Sequence, residues 1–234
     1  MSFDDLEKRL GYEFHNKELL RLALTHTTYV FEHNQKHYQS NQRLEFIGDA
    51  ILDMVIGDKL YQIKPQEGEG YLSKMRSIIV CEKSFAKVAR QLGIGDYMML
   101  GKGEAASGGA DTESTLADAF ESVIAAVYFD SDFETVRGIA LKNLEEIIEL
   151  AVEGKIFLDY KSKLLEISQT KDNQHEVVFT VINECGPSHM RVFEVQVTAD
   201  GKFLAKAQGK SKREAEQSCA ELAIDEYKRM FGVK

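Results

Sequence analysis

Two pairs of carboxylates lie within the two most apolar helical stretches of this chain. NQRLEFIGDAILDMVI carries Glu45 and Asp49 four residues apart, on one side of a helix. STLADAFESVIAAVYF carries Asp118 and Glu121 as its only charges. A helix that is apolar nearly all round is normally buried, and an ionised carboxylate there is costly unless it is paired, hydrogen-bonded or bound to a metal. We therefore expect the fold to bring these acids together around something cationic.

The spacing of the acids indicates a metal site, with two alternatives. Carboxylates at i, i+3 and i, i+4 on two helices can converge on one hard divalent cation such as Mg²⁺. A solvated acidic stripe or ordinary ion pairs would also explain them. A di-iron site is the rival metal hypothesis, but it uses Glu-x-x-His from two helices. None of the six histidines lies three residues after a Glu, so oxygen-only ligation favours Mg²⁺ and hydrolysis.

Residues 1–152 predict an all-α domain. Helical spacing recurs in LEKRLGYEF, KELLRLALTH, LEFIGDAILDMVIGDKLY, EGYLSKMRSIIVCEKSFAKVARQLG, the second acidic stretch and DFETVRGIALKNLEEIIELAVEG. The glycine-rich residues 101–114, GKGEAASGGADTES, predict a flexible loop that cannot hold a helix. Such a loop either contacts substrate or serves as a plain connector.

A second domain is predicted at residues 159–230, after a linker at residues 153–158. DYKSKLLEISQ fits a helix, whereas HEVVFTVIN, RVFEVQVTA and GKFLAKAQ fit short strands. A final helix is predicted to begin at Ser211, where Ser-Lys-Arg-Glu has the capping-box pattern. The result is a small α+β domain of order α-β-β-β-α, with one sheet backed by two helices.

Charge is unevenly distributed between the two predicted domains. From residue 157 onward, 12 Lys+Arg balance 12 Asp+Glu, so the remaining 17 Lys+Arg against 26 Asp+Glu leave −9 for residues 1–156. Residues 201–213 hold five basic residues and no acid, which fits either a solvated face or a nucleic-acid contact. Three widely spaced cysteines, no membrane-length apolar run and no secretory signal predict a cytoplasmic protein without a membrane partner.

The chain resembles bacterial ribonuclease III over nearly its whole length. The family signature looks like Asn-Glu-Arg-Leu-Glu-Phe-Leu-Gly-Asp-Ala, and residues 41–50 here read NQRLEFIGDA. LEKRLGYEF, ALTHTTY, EGYLSKMRS and LADAFESVIAAVYFD also resemble family sequence in the expected order. The second domain is similar to a double-stranded-RNA-binding domain in DYKSKLLEISQ, GPSHMRVFEV and GKSKREAEQSCA.

The resemblance implies an all-α endonuclease domain followed by an RNA-binding domain, and it implies roles for the acids. Glu45, Asp49, Asp118 and Glu121 would bind Mg²⁺, with Mn²⁺ able to substitute. Asp49 and Glu121 would be catalytic, and Glu69 an accessory acid. Hydrolysis of double-stranded RNA would leave 5′-phosphate and 3′-hydroxyl ends on ribosomal and other structured precursors, with no small-molecule cofactor. The alternative is a non-cleaving RNA-binding regulator, against which the presence of all four acids argues.

The resemblance also implies an RNA interface and a homodimer. Candidate RNA-binding residues are Glu166, Gln169, Pro187, Ser188, His189, Lys210, Lys212 and Arg213. Phe46 and Gly48 would lie at the dimer interface, where Gly48 would permit a close approach of backbones. An intrachain core position is the competing interpretation of Phe46, and a purely local hydrogen-bonding role is the competing interpretation of His189. Gln42 stands where the family often has Glu, and Leu165 where a Gln commonly reaches into the minor groove, a contact that Gln169 or Glu166 would take over.

Overall fold

A computed structural model describes residues 2–156, 159–170, 173–187 and 191–232 of the chain. The chain divides into two compact units, Met1–Ile156 and Phe157–Lys234. Of the predicted linker, Ile156 packs against the core of the first unit, whereas Phe157 and Leu158 lie outside the described residues. No helix among the described residues is both long and apolar enough to cross a membrane.

The first unit is built from helices, which confirms its predicted class. Its helices are α1 (Asp4–Leu10), α2 (Lys17–Ala23), α3 (Thr27–Glu32), α4 (Gln42–Ile63), α5 (Glu69–Ile79), α6 (Glu82–Leu92), α7 (Lys102–Ala106), α8 (Glu113–Asp130) and α9 (Phe133–Val152). Single 3₁₀ turns occur at His37–Gln39, Ile94–Tyr97 and Gly109–Asp111.

The two acidic stretches form α4 and α8, the helices at the centre of this unit. The α8 helix is buried on nearly every side, as its composition predicts. Its first turn is fixed by Thr112, whose Oγ1 accepts a hydrogen bond from the N–H of Thr115 at 3.4 Å. The buried side chains of α4 face the same core, and they are Leu44, Ile51, Leu52, Val55, Ile56 and Leu60. The carboxylates are thus carried on rigid, well-packed helices.

The prediction that the glycine-rich residues 101–114 cannot hold a helix is wrong, because α7 lies within them. The α7 helix forms there because its start is anchored by distant residues. The N–H of Gly101 donates to Thr28 Oγ1 at 3.0 Å, and the N–H of Lys102 donates to Glu32 Oε2 at 2.6 Å. These tertiary contacts outweigh the low helix propensity of glycine. A second difference is that the long stretch EGYLSKMRSIIVCEKSFAKVARQLG forms two helices, α5 and α6.

The second unit has the predicted α-β-β-β-α order with one addition. Its elements are α10 (Tyr160–Ser168), β1 (Gln169–Thr170), β2 (Asn173–Gln174), β3 (Val177–Cys185), β4 (Val192–Ala199), β5 (Lys202–Gly209) and α11 (Lys212–Phe231). The three long strands form an antiparallel sheet in the order β3-β4-β5. The addition is a small two-stranded ribbon, β1 with β2, between α10 and the sheet.

The start of α11 is fixed by a variant of the predicted capping box. Ser211 Oγ accepts a hydrogen bond from the N–H of Glu214 at 3.1 Å. The carboxylate of Glu214 reaches back to the N–H of Lys210 at 2.8 Å rather than to that of Ser211. The N–H groups of Lys212 and Arg213 lie in the first turn of α11, where a helix offers them no intrahelical partner, and both residues are exposed.

Candidate metal centre and nucleic-acid interface

Three of the four predicted acids converge where α4 packs against α8. One carboxylate oxygen from each of Glu45, Asp118 and Glu121 lies within 4.8 Å of the others. All three side chains are partly buried, and none of them forms an ion pair with a Lys or Arg among the described residues. The predicted convergence of acids from the two helices is therefore present in the structure.

The cluster is assembled by a close approach at Gly48. A Cβ atom at this position would lie 2.0 Å from the backbone carbonyl oxygen of Glu121. Only glycine allows the two helix backbones to come this near. Because Glu45 lies one turn before Gly48, the contact sets the separation of Glu45 from Glu121. The resemblance placed the close approach of Gly48 at a dimer interface, whereas the structure shows it within the chain, against Glu121.

Burial and mutual repulsion make the cluster costly to ionise. Burial, followed by the charges of Asp49, Asp118 and Glu45, raises the pKa of Glu121 to about 8. Burial, followed by Asp118 and Asp49, also raises the pKa of Glu45. The pKa of Asp118 is raised by burial first and by Glu82 second. A nearby cation would relieve these costs.

Asp49 and Glu69 lie outside the three-acid group. Asp49 is exposed on α4, one turn after Glu45, yet its charge raises the pKa of both Glu45 and Glu121. It is not part of the group within 4.8 Å, so its role as a fourth ligand stays a prediction. Glu69 begins α5, and its Oε1 accepts a hydrogen bond from Ser73 Oγ at 2.7 Å. Gln42 is exposed at the first position of α4.

Two neighbours of the cluster were missed by the sequence reasoning. His26 lowers the pKa of Asp118, whereas Glu82 raises it. His26 is the N-cap of α3, where its Nδ1 lies 3.4 Å from the N–H of Thr28 and 2.8 Å from Thr28 Oγ1. The sequence could have indicated His26, because it lies in ALTHTTY, a segment that resembles ribonuclease III sequence. Nothing comparable in the sequence indicated Glu82.

Phe46 lies on the outer surface of α4 with 75% of its side chain exposed. The intrachain core position considered for this residue is therefore wrong. Met54 is 62% exposed and Tyr61 is 72% exposed, and their spacing from Phe46 places all three along one stripe of the helix. An apolar stripe of this kind on a long helix is typical of an interaction surface.

The candidate RNA-binding residues of the second unit are distributed over three segments. Lys210, Lys212 and Arg213 are exposed at the start of α11 and form no ion pair with an acid among the described residues. Pro187 is exposed after β3, whereas Ser188 and His189 lie outside the described residues.

The remaining candidates lie on and just after α10. Glu166 Oε2 lies 3.3 Å from Lys163 Nζ on α10. Gln169 is exposed at the start of β1. Leu165 is half-buried in α10. The first unit thus gathers acids that can hold a metal, and the second exposes cations beside free N–H groups, which can bind phosphate. A chain with both belongs to the class of enzymes that act on nucleic acids.

Comparison with known proteins identifies the family within that class. The family model described as "Ribonuclease-III-like" matches residues 16–148, and the model described as "Double-stranded RNA binding motif" matches residues 160–227. Ribonuclease 3 of Pelotomaculum thermopropionicum is 42% identical over 219 residues, covering 94% of this chain and 90% of that protein. Ribonuclease 3 of Symbiobacterium thermophilum is 44% identical over 215 residues, covering 92% of this chain and 90% of that protein.

The solved nuclease domain of ribonuclease III from Campylobacter jejuni is similar to the first unit. It is 41% identical, with a TM-score of 0.58, covering 62% of this chain and 97% of the solved domain. The chain therefore belongs to the ribonuclease III family of double-stranded-RNA-specific endoribonucleases. Its second unit is a double-stranded-RNA-binding domain.

Proposed function

We propose that this chain hydrolyses phosphodiester bonds in double-stranded RNA with Mg²⁺, leaving 5′-phosphate and 3′-hydroxyl ends. The observation that carries the proposal is the convergence of Glu45, Asp118 and Glu121 within 4.8 Å, in a unit that belongs to a nuclease family. Ribosomal and other structured RNA precursors, met in the cytoplasm, are the proposed substrates.

The donor set fits a hard divalent cation. Carboxylate oxygens are the ligands that Mg²⁺ and Mn²⁺ prefer, so Mn²⁺ should substitute. Burial, and then neighbouring acids, raise the pKa values of Glu45, Asp118 and Glu121. No Lys or Arg in the described part of the chain forms an ion pair with these three acids. Asp49 would complete the set, because its charge already acts on Glu45 and Glu121. Together the four acids are proposed to hold the ion against the phosphate.

The protein's part in the reaction is to position charge. A bound divalent ion would lower the pKa of a water molecule and reduce the charge of the scissile phosphate. Glu45, Asp118 and Glu121 fix the ligand geometry from two packed helices, so little reorganisation is needed during the reaction. Asp49 and Glu121 are proposed as the catalytic acids. Without a cation the cluster would repel RNA, so cleavage should require metal absolutely.

The second unit is proposed to hold the duplex by its shape. Duplex RNA presents 2′-hydroxyls in a shallow minor groove, and its narrow major groove cannot be read by side chains. Lys210, Lys212 and Arg213 would contact phosphates together with the free N–H groups at the start of α11. The α10 face with Glu166 and Gln169, and the segment Pro187, Ser188 and His189, would enter successive minor grooves.

We further propose that the enzyme acts as a homodimer through α4. The related Campylobacter jejuni structure is described as having a region involved in dimer formation of its nuclease domain. Here the exposed stripe of Phe46, Met54 and Tyr61 supplies the apolar surface that such an interface needs. A two-fold dimer would bring two acid clusters to one duplex, one for each strand.

Incubation of the full chain with a long RNA duplex tests the proposal. With Mg²⁺ or Mn²⁺ we expect discrete products whose 5′ ends can be labelled by a kinase only after phosphatase treatment. With EDTA we expect binding and no cleavage. Binding without cleavage in Mg²⁺ would instead establish a non-cleaving RNA-binding protein.

A further inference from the structure

A polar pocket of about 570 Å³ opens on the first unit between α2, α3 and the start of α4. Its volume is in the range of small-ligand sites in proteins. The lining residues are mostly polar, and they are Glu18, Arg21, Leu22, Thr25, Tyr29, Gln35, Tyr38, Gln39, Arg43 and Met99. None of the proposed metal ligands is among them, so the pocket is distinct from the acid cluster.

The pocket contains two arginines without an acidic partner. Arg21 and Arg43 are exposed and form no ion pair among the residues that the structure describes. Elsewhere in this unit arginines are commonly paired with acids, as Arg90 is with Asp111 at 3.0 Å. A guanidinium binds phosphate through two parallel hydrogen bonds. Two unpaired guanidinium groups in one concavity therefore fit a phosphate group.

The local charge favours an anion although the unit as a whole is acidic. Residues 33–43 contain Lys36 and Arg43 and no Asp or Glu. Glu18 is the only acid among the lining residues. Residues 1–156 carry a net charge of −9, so this basic region stands out as a place where a phosphate would be attracted rather than repelled.

The pocket also offers an aromatic face and amides. Tyr38 is 45% exposed, with Lys36 Nζ 5.8 Å from its ring centroid and the His37 ring edge-on to it at a centroid distance of 5.8 Å. The ring of Tyr29 is stacked on that of His33 at 3.9 Å. Gln39 Oε1 accepts the N–H of Lys36 at 2.9 Å, which leaves its amide NH₂ free to donate. A nucleobase can stack on an exposed tyrosine and bond an amide at its edge. Two arginines for a phosphate, a tyrosine ring for a base and an amide for the edge of that base together fit a nucleotide.

We propose that this pocket binds one nucleotide, with its phosphate held by Arg21 and Arg43 and its base stacked on Tyr38. The pocket lies at the same end of α4 as Glu45, because Arg43 is two residues before Glu45 and the carbonyl of Thr25 accepts the N–H of Asn41 at 2.8 Å. Side chains two residues apart point to different sides of a helix, so Arg43 and Glu45 face different surfaces of α4. The nucleotide can come from an RNA strand that continues past the cluster or from a free mononucleotide. Only the first source rests on the proposed function.

Calorimetric titration of the full chain in EDTA with ribonucleoside 5′-monophosphates tests the free-nucleotide source. We expect binding that falls about tenfold or more when Arg21→Ala and Arg43→Ala are combined. Tyr38→Ala should also lower the affinity about tenfold, since one stacked base is lost. Arg9→Ala alters another exposed arginine of the same unit and should change nothing. Inorganic phosphate is titrated beside the nucleotides.

Anisotropy of labelled RNA in EDTA tests the RNA source. A duplex with single-stranded extensions is compared with a blunt duplex of the same length, and each is measured against salt. The double arginine variant should bind the extended duplex about tenfold more weakly, with a smaller salt dependence. Arg21→Lys with Arg43→Lys keeps the charge but loses the paired hydrogen bonds, so it should restore only part of the affinity.

Loss of affinity in either titration supports the proposal and identifies the source. If neither mononucleotides nor extended RNA respond to the arginine variants, the proposal is overturned. It is also overturned if inorganic phosphate binds as tightly as the nucleotides while Tyr38→Ala has no effect, because the pocket then binds only an anion. Thermal melting confirms that each variant is folded. Both assays omit metal and cleavage, so failure of the nuclease proposal would be seen separately.

Discussion

Replacing Gly48 by alanine should pull the acid cluster apart. The new Cβ would lie 2.0 Å from the carbonyl oxygen of Glu121 and 2.5 Å from its carbonyl carbon. Both are backbone atoms, so no side-chain rotation relieves the overlap. Normal contact would require α4 and α8 to separate by roughly 1 Å, and overpacking of this kind costs about 1–3 kcal/mol. Because Glu45 and Glu121 face each other across this contact, metal affinity should fall as well.

Gly57 provides a matched control on the same helix. A Cβ atom there would find its nearest neighbour, Arg76, at 3.8 Å, an ordinary contact. Gly57→Ala should therefore gain up to about 1 kcal/mol from helix propensity. In calorimetric melting, the two variants should differ by about 1–4 kcal/mol, or roughly 2–16 °C in the Tm of the nuclease unit. Calorimetric titration with Mn²⁺ should show weaker binding only in Gly48→Ala.

Equal stability and equal Mn²⁺ affinity of the two alanine variants would refute this reasoning. A stable Gly48→Ala protein with wild-type metal binding would mean that the close approach of α4 and α8 is not needed to assemble the cluster.

Three further predictions concern pH, assembly and RNA affinity. Burial raises the pKa of Glu121 from 4.5 to about 8, so Glu121 stabilises the metal-free fold fully below pH 4.5, and this stability is lost as pH rises to about 8. Calorimetry in EDTA should show a loss from Glu121 of about 1–2 kcal/mol after allowance for solvent screening, and Glu121→Gln should reduce the total loss, to which Glu45 and Asp118 also contribute. Phe46→Ser should shift the protein from dimer to monomer in sedimentation, since it removes the most exposed aromatic ring of α4. Lys210→Ala combined with Lys212→Ala should weaken duplex binding and reduce the slope of log affinity against log salt by about two.

Each of these predictions has a contradicting outcome. A melting temperature with the same pH dependence in Glu121→Gln would show that another group titrates. Phe31→Ser is the control for assembly, because Phe31 is also 72% exposed; a monomer in both variants would point to a general loss of folding. An unchanged salt slope would remove Lys210 and Lys212 from the RNA interface.

The sequence predicted the two central helices because their apolar residues recur at helical spacing. An almost wholly apolar α8 must be buried, so Asp118 and Glu121 need an ion pair, hydrogen bonds or a metal ion to offset their loss of hydration. The close approach at Gly48 was also predicted, but at a dimer interface, whereas the structure shows it against Glu121 of the same chain. A glycine in a helix permits contact equally with its own chain or with another subunit, so the contact with Glu121 required coordinates.

Contacts between distant residues account for what the sequence did not predict. The α7 helix begins where Thr28 and Glu32 bind the N–H groups of residues about 70 positions away. Glycine content indicates a loop there and carries no information about those anchors. The influence of His26 and Glu82 on Asp118 arises in the same way. The local sequence pattern predicts the helices and strands, whereas the electrostatics of the site depend on which of them pack together.

The rate of duplex RNA cleavage against Mg²⁺ concentration tests the central claim most directly. The comparison includes the wild-type chain, Glu121→Gln in the cluster and Glu145→Gln at an exposed site on α9. We predict a saturating Mg²⁺ dependence for the wild type and for Glu145→Gln. Glu121→Gln should bind the duplex and leave it uncut. Wild-type cleavage by Glu121→Gln, or cleavage by the wild type in EDTA, would contradict the assignment of this cluster as the metal centre.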